Sequence, residues 1–587
     1  MLSISPTGTD SFDCGAQSNK CQTISYAFHK TTSNNITFML QTSANISINY
    51  TIFSSIVIKR KIRLEFRKEN ENHVNPAVLS NVTSLFQLDS SLDLHISSID
   101  LYNVNLLRQE NSSHEISVLI RNSSIYHDEQ FFIEMRESFN FSNINILHCS
   151  LKSSIGTNWM NMTNENTSFN ATVNVKNSII EGGVFYFKNV EKFVMSSSLV
   201  QNGSAKFKKR PFLFANSCSI VIIQNITARN IIFGAFFTGI APEEGINTNK
   251  YLTNTYIIKD VQLEENTLYS FIGVQNVKNF AIENVSIKNI RFKRAMFIVR
   301  ESNGAILNIN VQNLELGSAF FAYRAHVSIT NVELKDSLIE RRGIIAYPAE
   351  MVIKNLTVIR TNFINKYSII FVWDKSNLTI HNFRLKDVKA TTAINLVQND
   401  GSEVTEGSTA TISNVSVENL KLTGTFLFAY KSDVSITEIY ISHVPITDNE
   451  AAFFRIESSS SFILSLLEMR NLTVHDDIIE VSGQSSATLT NVKMSGISTK
   501  EAVVFVARKS KSDLTEVYMS NVVITDDKAD IFRVKSSSRF NLSGLEMRNV
   551  TMHNDIIEVS GKLCNSYQCE NVRHFYKRKC SFFITAI

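Results

Sequence analysis

Three stretches of the chain repeat one arrangement of apolar and polar positions: FAIENVSIKNI from Phe280, AILNINVQNL from Ala305 and HVSITNVELKD from His326. In each, alternating apolar residues lead to an Asn, a second alternating pair follows, and a further Asn or Asp closes the phrase. Alternation with a period of two sets successive side chains on opposite faces of a strand. Asn284, Asn308 and Asn331 fall at the same phase, roughly two dozen positions apart. A period of this size, built from short strands, marks one coil of a parallel β-solenoid. If each coil sets its Asn at one corner, the side chains lie about 4.8 Å apart and bond along the axis as a ladder. Asn also tolerates the left-handed backbone of a sharp corner.

The same corner is expected at Asn355, Asn382, Asn414 and Asn491, while Glu438 and Glu516 replace it in two coils and should face water. The final third carries a duplication. LEMRNLTVHDDIIEVSG from Leu467 matches LEMRNVTMHNDIIEVSG from Leu545, and the same shift carries FRIESSSSF from Phe454 onto FRVKSSSRF from Phe532. Three coils of about 26 residues would account for that shift, and copying whole coils keeps each strand on an equivalent template. A second apolar column runs through Phe297, Phe320, Ile344, Ile370, Phe453, Ile478, Val503, Ile531 and Ile556. Stacked core residues explain it more simply than an aromatic track for sugars or bases.

Composition agrees. The chain has 587 residues, 40 Phe and a 43% apolar fraction, ample for a continuous core, with only six Pro and twenty Gly. A net charge of +4 on this length argues against nucleic acid as the main partner. The basic run KRKIRLEFRK from Lys59 alternates its charges with Ile62, Leu64 and Phe66, which predicts a strand with one wet face. The organisation expected is an N-terminal cap over residues 1–50, coils of about 23–28 residues over 51–561, and a Cys-containing tail over 562–587. Polar stretches near 153–170, 239–253 and 398–408 are expected as loops thrown out from the corners, with Asn161, Glu243 and Glu403 as points of contact.

The opening of the chain carries a resemblance. A GTD segment at residues 8–10, an amphipathic CQTISYAFHKTT from Cys21, and then strands of the SSIVIKRKIRL kind look like the start of right-handed parallel β-helix proteins of the pectin-lyase-like superfamily. The resemblance implies an all-β, single-stranded right-handed parallel β-helix with an N-terminal capping helix, three short strands per coil and an apolar lumen. It names no substrate. Members of that superfamily that cleave polysaccharides use clustered acids, a Ca²⁺ site with an Arg base, or paired Asp with a His-bearing turn.

Acid–base chemistry on glycosides needs two carboxylates at a matched separation. The pairs that invite it are Asp476 with Asp477 and Asp526 with Asp527, yet across the duplication they become Asn554 with Asp555 and Asp448 with Asn449, so they read as corner decoration. His475 and its copy His553 sit beside carboxylates, but the spacing matches no compact metal motif. No cofactor and no metal are expected. Cys14 and Cys21 are spaced to bridge and pin the cap, which implies an oxidising compartment, while Cys564, Cys569 and Cys580 form a second cluster of undetermined pairing. Glycosylation sequons fall at Asn35, Asn81, Asn122, Asn225 and Asn471; those at Asn284, Asn355 and Asn414 coincide with the ladder and are expected to be too buried to modify. Residues 1–15 hold no signal-peptide segment, so an extracellular or cell-surface protein would need a leader upstream; a cytoplasmic chain is the competing expectation. Two function classes follow. One is a non-catalytic secreted or cell-surface solenoid for adhesion, recognition or scaffolding, with glycans or cell-surface proteins as partners and no membrane span in the chain. The other is a carbohydrate-active enzyme, a polysaccharide lyase or glycoside hydrolase.

Overall fold

The computed structural model describes residues 1–587 apart from 45, 53–54, 74, 82–83, 129–130, 154–157, 165–170, 204–209, 242–253, 365–366, 398–406, 446–451, 476, 500–503, 526–529, 536–537, 553–555, 561–579 and 586–587. Among the described residues the protein is 71% strand with one short helix, and it winds as a parallel β-solenoid of about 17 turns. It divides into two compact units, residues 1–291 and 292–587.

In the first unit, Leu2–Ile4 pairs in parallel with Asn35–Leu40, which pairs with Ile62–Lys68, which pairs with Leu92–Ser97. The strand at Ile62–Lys68 has the wet face its sequence predicts: Ile62, Leu64 and Phe66 are buried while Arg63, Glu65 and Arg67 point away. Phe38 and Phe66 pack one coil above the other with ring centroids 5.1 Å apart and planes tilted by 33°. Burying each such side chain contributes about 1.5–3 kcal/mol. The helix spans Ile24–Lys30; Thr23 accepts the Tyr26 N–H on its side chain, and Ile24, Ala27 and Phe28 are buried. The Cys14–Cys21 disulfide is formed, with Cα atoms 4.9 Å apart. Gly8 of the GTD segment is fixed by space, since a Cβ there would lie 2.4 Å from the Lys20 carbonyl oxygen.

In the second unit the coils stay in register over long stretches. Leu467 stands on Val492, Val492 on Val517, and Val517 on Leu545. The duplicated segments therefore lie three rungs apart, as their spacing implies. The residues of the apolar column are core: Phe297, Phe320, Ile344, Ile370, Phe453, Ile478 and Ile531 are all buried, and Phe297 stacks on Phe320 at 5.0 Å. Register, however, puts Phe454, Ile479 and Phe532 in line with Phe320, Ile344 and Ile370, so the column shifts by one residue at Phe453. Ile556 at the end of the column is half-buried, and Val503 lies outside the described residues.

Left-handed residues turn the corners. Along His326–Lys335, Val327, Ile329, Val332 and Leu334 are buried, yet the neighbours Thr330 and Asn331 both face outward. Strict alternation cannot do this; Asn331 at φ 56° shifts the phase by one residue and bends the strand. Asn284, Asn308, Asn355, Asn382, Asn414 and Asn491 are left-handed too. Glu438 and Glu516, which replace Asn at this corner, are exposed as expected. A second corner recurs at Asn289, Asn313, Asp336, Asp387 and Asn419, and a third at Glu301, Arg324 and Lys431.

The ladder forms, but on the outside. Asn331, Asn355, Asn382 and Asn414 each donate Nδ2 to Oδ1 of the Asn one coil before, at 2.7–2.8 Å, and all these bonds are exposed. The expected burial of Asn284, Asn355 and Asn414 is thus corrected, because the left-handed corner sends two successive side chains outward. The polar ladder inside the wall is made of serine. The Ser432, Ser460 and Ser510 N–H groups donate to the hydroxyls of Ser460, Ser485 and Ser538 at 3.1–3.3 Å, so backbone donors turned inward at the third corner are satisfied without a bulky amide.

The expected loop at 153–170 is in part a strand. Asn158–Thr163 joins the wall with Trp159, Met160 and Met162 buried, because WMNM alternates apolar residues inside a polar stretch. Of the other two expected loops, residues 242–253 with Glu243 and residues 398–406 with Glu403 lie outside the described residues, as do Cys564 and Cys569 of the tail. Cys580–Thr585 returns antiparallel along Arg539–Thr551.

Candidate functional site

One outward row of side chains in the first unit gathers more chemistry than its neighbours. Strand register sets Arg108 beside Glu134, Glu134 beside Asn161, Asn161 beside Tyr186, and Tyr186 beside Phe214. The inward partners Ile133, Met135, Met160 and Met162 are buried core, which fixes the alternate residues to the surface. A cleft of about 590 Å³ opens over this row, lined among others by Phe131, Arg136, Asn158, Asn161, Tyr186 and Arg210.

The cleft has two unlike walls. On one side Tyr186 and Phe214 stack at 4.9 Å with ring planes 13° apart. Stacking at the rung spacing turns the ring faces along the solenoid axis, so the other face of Tyr186 looks across the Asn161 rung. On the other side stand Phe131 and Arg136, the guanidinium 5.7 Å from the ring centroid. Beneath them Glu134, only 2% exposed, is held by Arg136 Nη2 at 2.5 Å and Arg108 Nε at 3.3 Å. Asn161 donates to the same carboxylate at 3.5 Å. The buried charge is thereby paired, as it must be, and its role is to fix Arg136 and Asn161 in place.

The residues singled out from the sequence lie elsewhere. Asp477 is buried at the start of a rung in the second unit, 3.9 Å from Arg508, whereas Asp476, Asp526, Asp527 and His553 lie outside the described residues. The neighbouring acid that sequence reasoning missed is Asp530. Its side chain is 1% exposed and 3.1 Å from Arg533, which also holds Glu558 at 2.6 Å. Burial, with hydrogen bonding to Glu558, raises the Asp530 pKa to about 6. Across the duplication Asp530 corresponds to Ala452, so this acid belongs to one copy alone. Among the described residues no cluster of three His, Cys, Asp or Glu is placed to hold a metal ion, and no helix is long and apolar enough to cross a membrane.

Of the sequons, Asn35, Asn122, Asn225 and Asn471 are exposed; Asn225 donates to Ser197 Oγ at 3.3 Å and Asn471 meets His443 Nε2 at 3.3 Å. The side chain of Asn81 lies outside the description.

The second unit has an outward aromatic face that the sequence analysis also passed over. Its signal was the recurring strand ends FFAY, IIAY, IFVW and LFAY, which finish at Tyr323, Tyr347, Trp373 and Tyr430. No family model matches the chain, and no curated protein matches it.

Proposed function

We propose that the protein is a non-catalytic recognition solenoid, secreted or displayed at a cell surface, that binds glycans in the cleft between Tyr186 and the Phe131–Arg136 pair. On this reading the coils wind right-handed, the helix Ile24–Lys30 caps the open end, and the chain is kin to the pectin-lyase-like proteins. The cleft carries the proposal. The two walls stand on strands two rungs apart, about 10 Å, and a flat ring in contact on both faces needs about 7–8 Å. One sugar ring fits between them. Tyr186 offers it an aromatic face propped from behind by Phe214, while Asn158, Asn161 and Thr163 supply hydrogen-bonding groups along the floor. An aromatic wall beside placed polar groups, in a cleft whose lining mixes polar and apolar side chains, suits a ligand that carries both hydroxyls and an apolar ring face. The test is a glycan array followed by calorimetry on the best binder. Tyr186→Ala should weaken binding at least tenfold, as loss of a central aromatic anchor does; an array with no binder, or a binder indifferent to Tyr186, refutes the reading.

A carbohydrate-active enzyme is the second reading, favoured by one observation, the carboxyl of Asp530 held near pH 6 beside Glu558 and Arg533. A carboxyl that keeps its proton up to mildly acidic pH, next to an ionised carboxylate, suits general acid work there. Reducing-sugar and unsaturated-product assays on neutral and acidic polysaccharides decide it: turnover abolished by Asp530→Asn would establish the enzyme, and no turnover would exclude it.

A further inference from the structure

The outward aromatic face of the second unit is unlike the cleft of the first. Register sets Phe321, Ile345, Phe371, Asn395 and Phe428 on consecutive rungs. Two residues further along the same strands, Tyr323, Tyr347, Trp373, Val397 and Tyr430 form a parallel row. Both rows lie outside a buried line of Ala322, Ala346, Val372, Leu396 and Ala429, with Phe371 itself buried beneath Arg342. Beyond Tyr430 the aromatic character stops, and the next rung is Arg455 and Glu457.

Three features define what this face fits. First, its rings pack on one another: Tyr323 and Tyr347 stack at 5.4 Å with planes 19° apart, and Trp373 meets Tyr347 in a T at 5.2 Å with planes 69° apart. Rings packed on one another leave less free ring face for a sugar, and aromatic side chains with polar tips suit insertion among lipid headgroups. Second, cations border it. Arg324 lies 5.2 Å from the Tyr323 ring, Lys431 5.6 Å from Tyr430, and Arg300 5.8 Å from Phe321, while Arg342 packs 3.5 Å from Phe371. Arg324 also stands 3.7 Å from Glu301, an exposed pair too weak to hold the guanidinium back from a stronger anion. Two of the cations, Arg324 and Lys431, occupy left-handed corners that project from the wall. Third, Trp373 is only half-buried, so part of the residue reaches solvent although its indole N–H is enclosed.

We propose that this face docks on anionic lipid bilayers, with the aromatic rings at headgroup level and the bordering Arg and Lys residues over the lipid anionic groups. Aromatic rings with polar tips gather at membrane–water interfaces, and basic residues near an anionic surface add attraction that salt screens. Acids share the border, with Glu301 and Asp374 at the same corner as Arg324 and Lys431, but Arg300, Arg342 and Lys375 leave it cationic in balance, which complements an anionic surface. The proposal concerns a different unit from the glycan cleft and stands without it.

The chain carries its own reporter. It has two Trp; Trp159 is wholly buried and donates Nε1 to the Gly182 carbonyl oxygen at 2.8 Å, so a change in tryptophan emission on binding belongs to Trp373. Full-length protein is mixed with phosphatidylcholine vesicles, or with vesicles of phosphatidylcholine and phosphatidylserine in a two-to-one ratio, and binding is read by co-sedimentation and emission. The expected result is binding to the phosphatidylserine vesicles alone, with a blue shift that Trp373→Phe removes and at least tenfold weakening in about 0.5 M salt. Arg324→Glu with Lys431→Glu should weaken binding at least tenfold while leaving the far-ultraviolet circular dichroism unchanged. Absence of binding to either vesicle overturns the proposal, as does binding without a Trp373 shift. So does a Trp373 shift produced only by a sulfated polysaccharide, which would make the partner a glycan, or only by raised protein concentration, which would make it a second copy.

Discussion

Asn331 donates its side-chain N–H to the Asn308 side-chain oxygen Oδ1 of the preceding coil at 2.8 Å, and Asn355 repeats the gesture toward Asn331 Oδ1 at 2.7 Å. Asn331 thus does two jobs. It links three coils along the axis, and it holds a left-handed corner at φ 56°.

These jobs can be separated by mutation. Asn331→Ala loses two exposed hydrogen bonds, together about 1–2 kcal/mol, and forces a Cβ-bearing residue without a local hydrogen bond into the left-handed region, about 1 kcal/mol more. Asn331→Gly loses the bonds but keeps the corner. The alanine variant should therefore melt at a lower temperature than the glycine variant, and both below wild type, by differential scanning calorimetry. Equal melting temperatures for the two variants would show that the corner costs nothing.

A second test concerns the beginning of the chain. Asp10 Oδ1 accepts from the Gln22 and Thr23 N–H groups at 2.8 and 2.9 Å, and its Oδ2 accepts from the Thr23 hydroxyl at 2.6 Å. Thr23 is the residue that starts the helix. Asp10→Ala should release residues 20–30 from hydrogen-exchange protection and speed limited proteolysis there, with little effect on later coils, since repeat walls transmit strain mainly to neighbours.

The Asp530 carboxyl sets a pH dependence. Its folded pKa of about 6 lies above the usual carboxylate value of 3.8, so between those values the folded chain binds more protons than the unfolded chain. By linkage, stability falls as pH rises through this window and the loss is complete above about pH 6. Wild type should melt at a lower temperature at pH 7.5 than at pH 5, and Asp530→Asn should show a smaller fall. A fall of equal size in the variant would place the titration elsewhere.

The thiols give a fourth test. Cys149 and Cys218 are buried and unbridged, and burial pushes their pKa up to about 11 and about 12. Thiolate is the reactive form, so neither should be alkylated by iodoacetamide at pH 8 in the native protein, and both should be alkylated in denaturing guanidinium. Mass spectrometry of peptides spanning each residue distinguishes the two states.

What the sequence determined by itself was the winding. The phase of Asn308 and Asn331, the apolar column through Phe297 and Phe320, and the copy of Leu467 onward at Leu545 required a parallel solenoid, because only stacked coils let a recurring residue meet its own image. The alternation in Ile62–Lys68 and the buried face of Ile24–Lys30 were likewise legible, since a strand and a helix each impose their own period. Tertiary structure alone decided which way the corners face. A left-handed residue reverses the phase of everything after it, so whether Asn355 and Asn414 point in or out depends on the three-dimensional path. The same holds for the cleft. Arg136, Asn161 and Tyr186 each belong to a different coil, and nothing local to any of them signals the others; they meet because three successive strands stack in one register, and register is a property of the wall and not of any single strand.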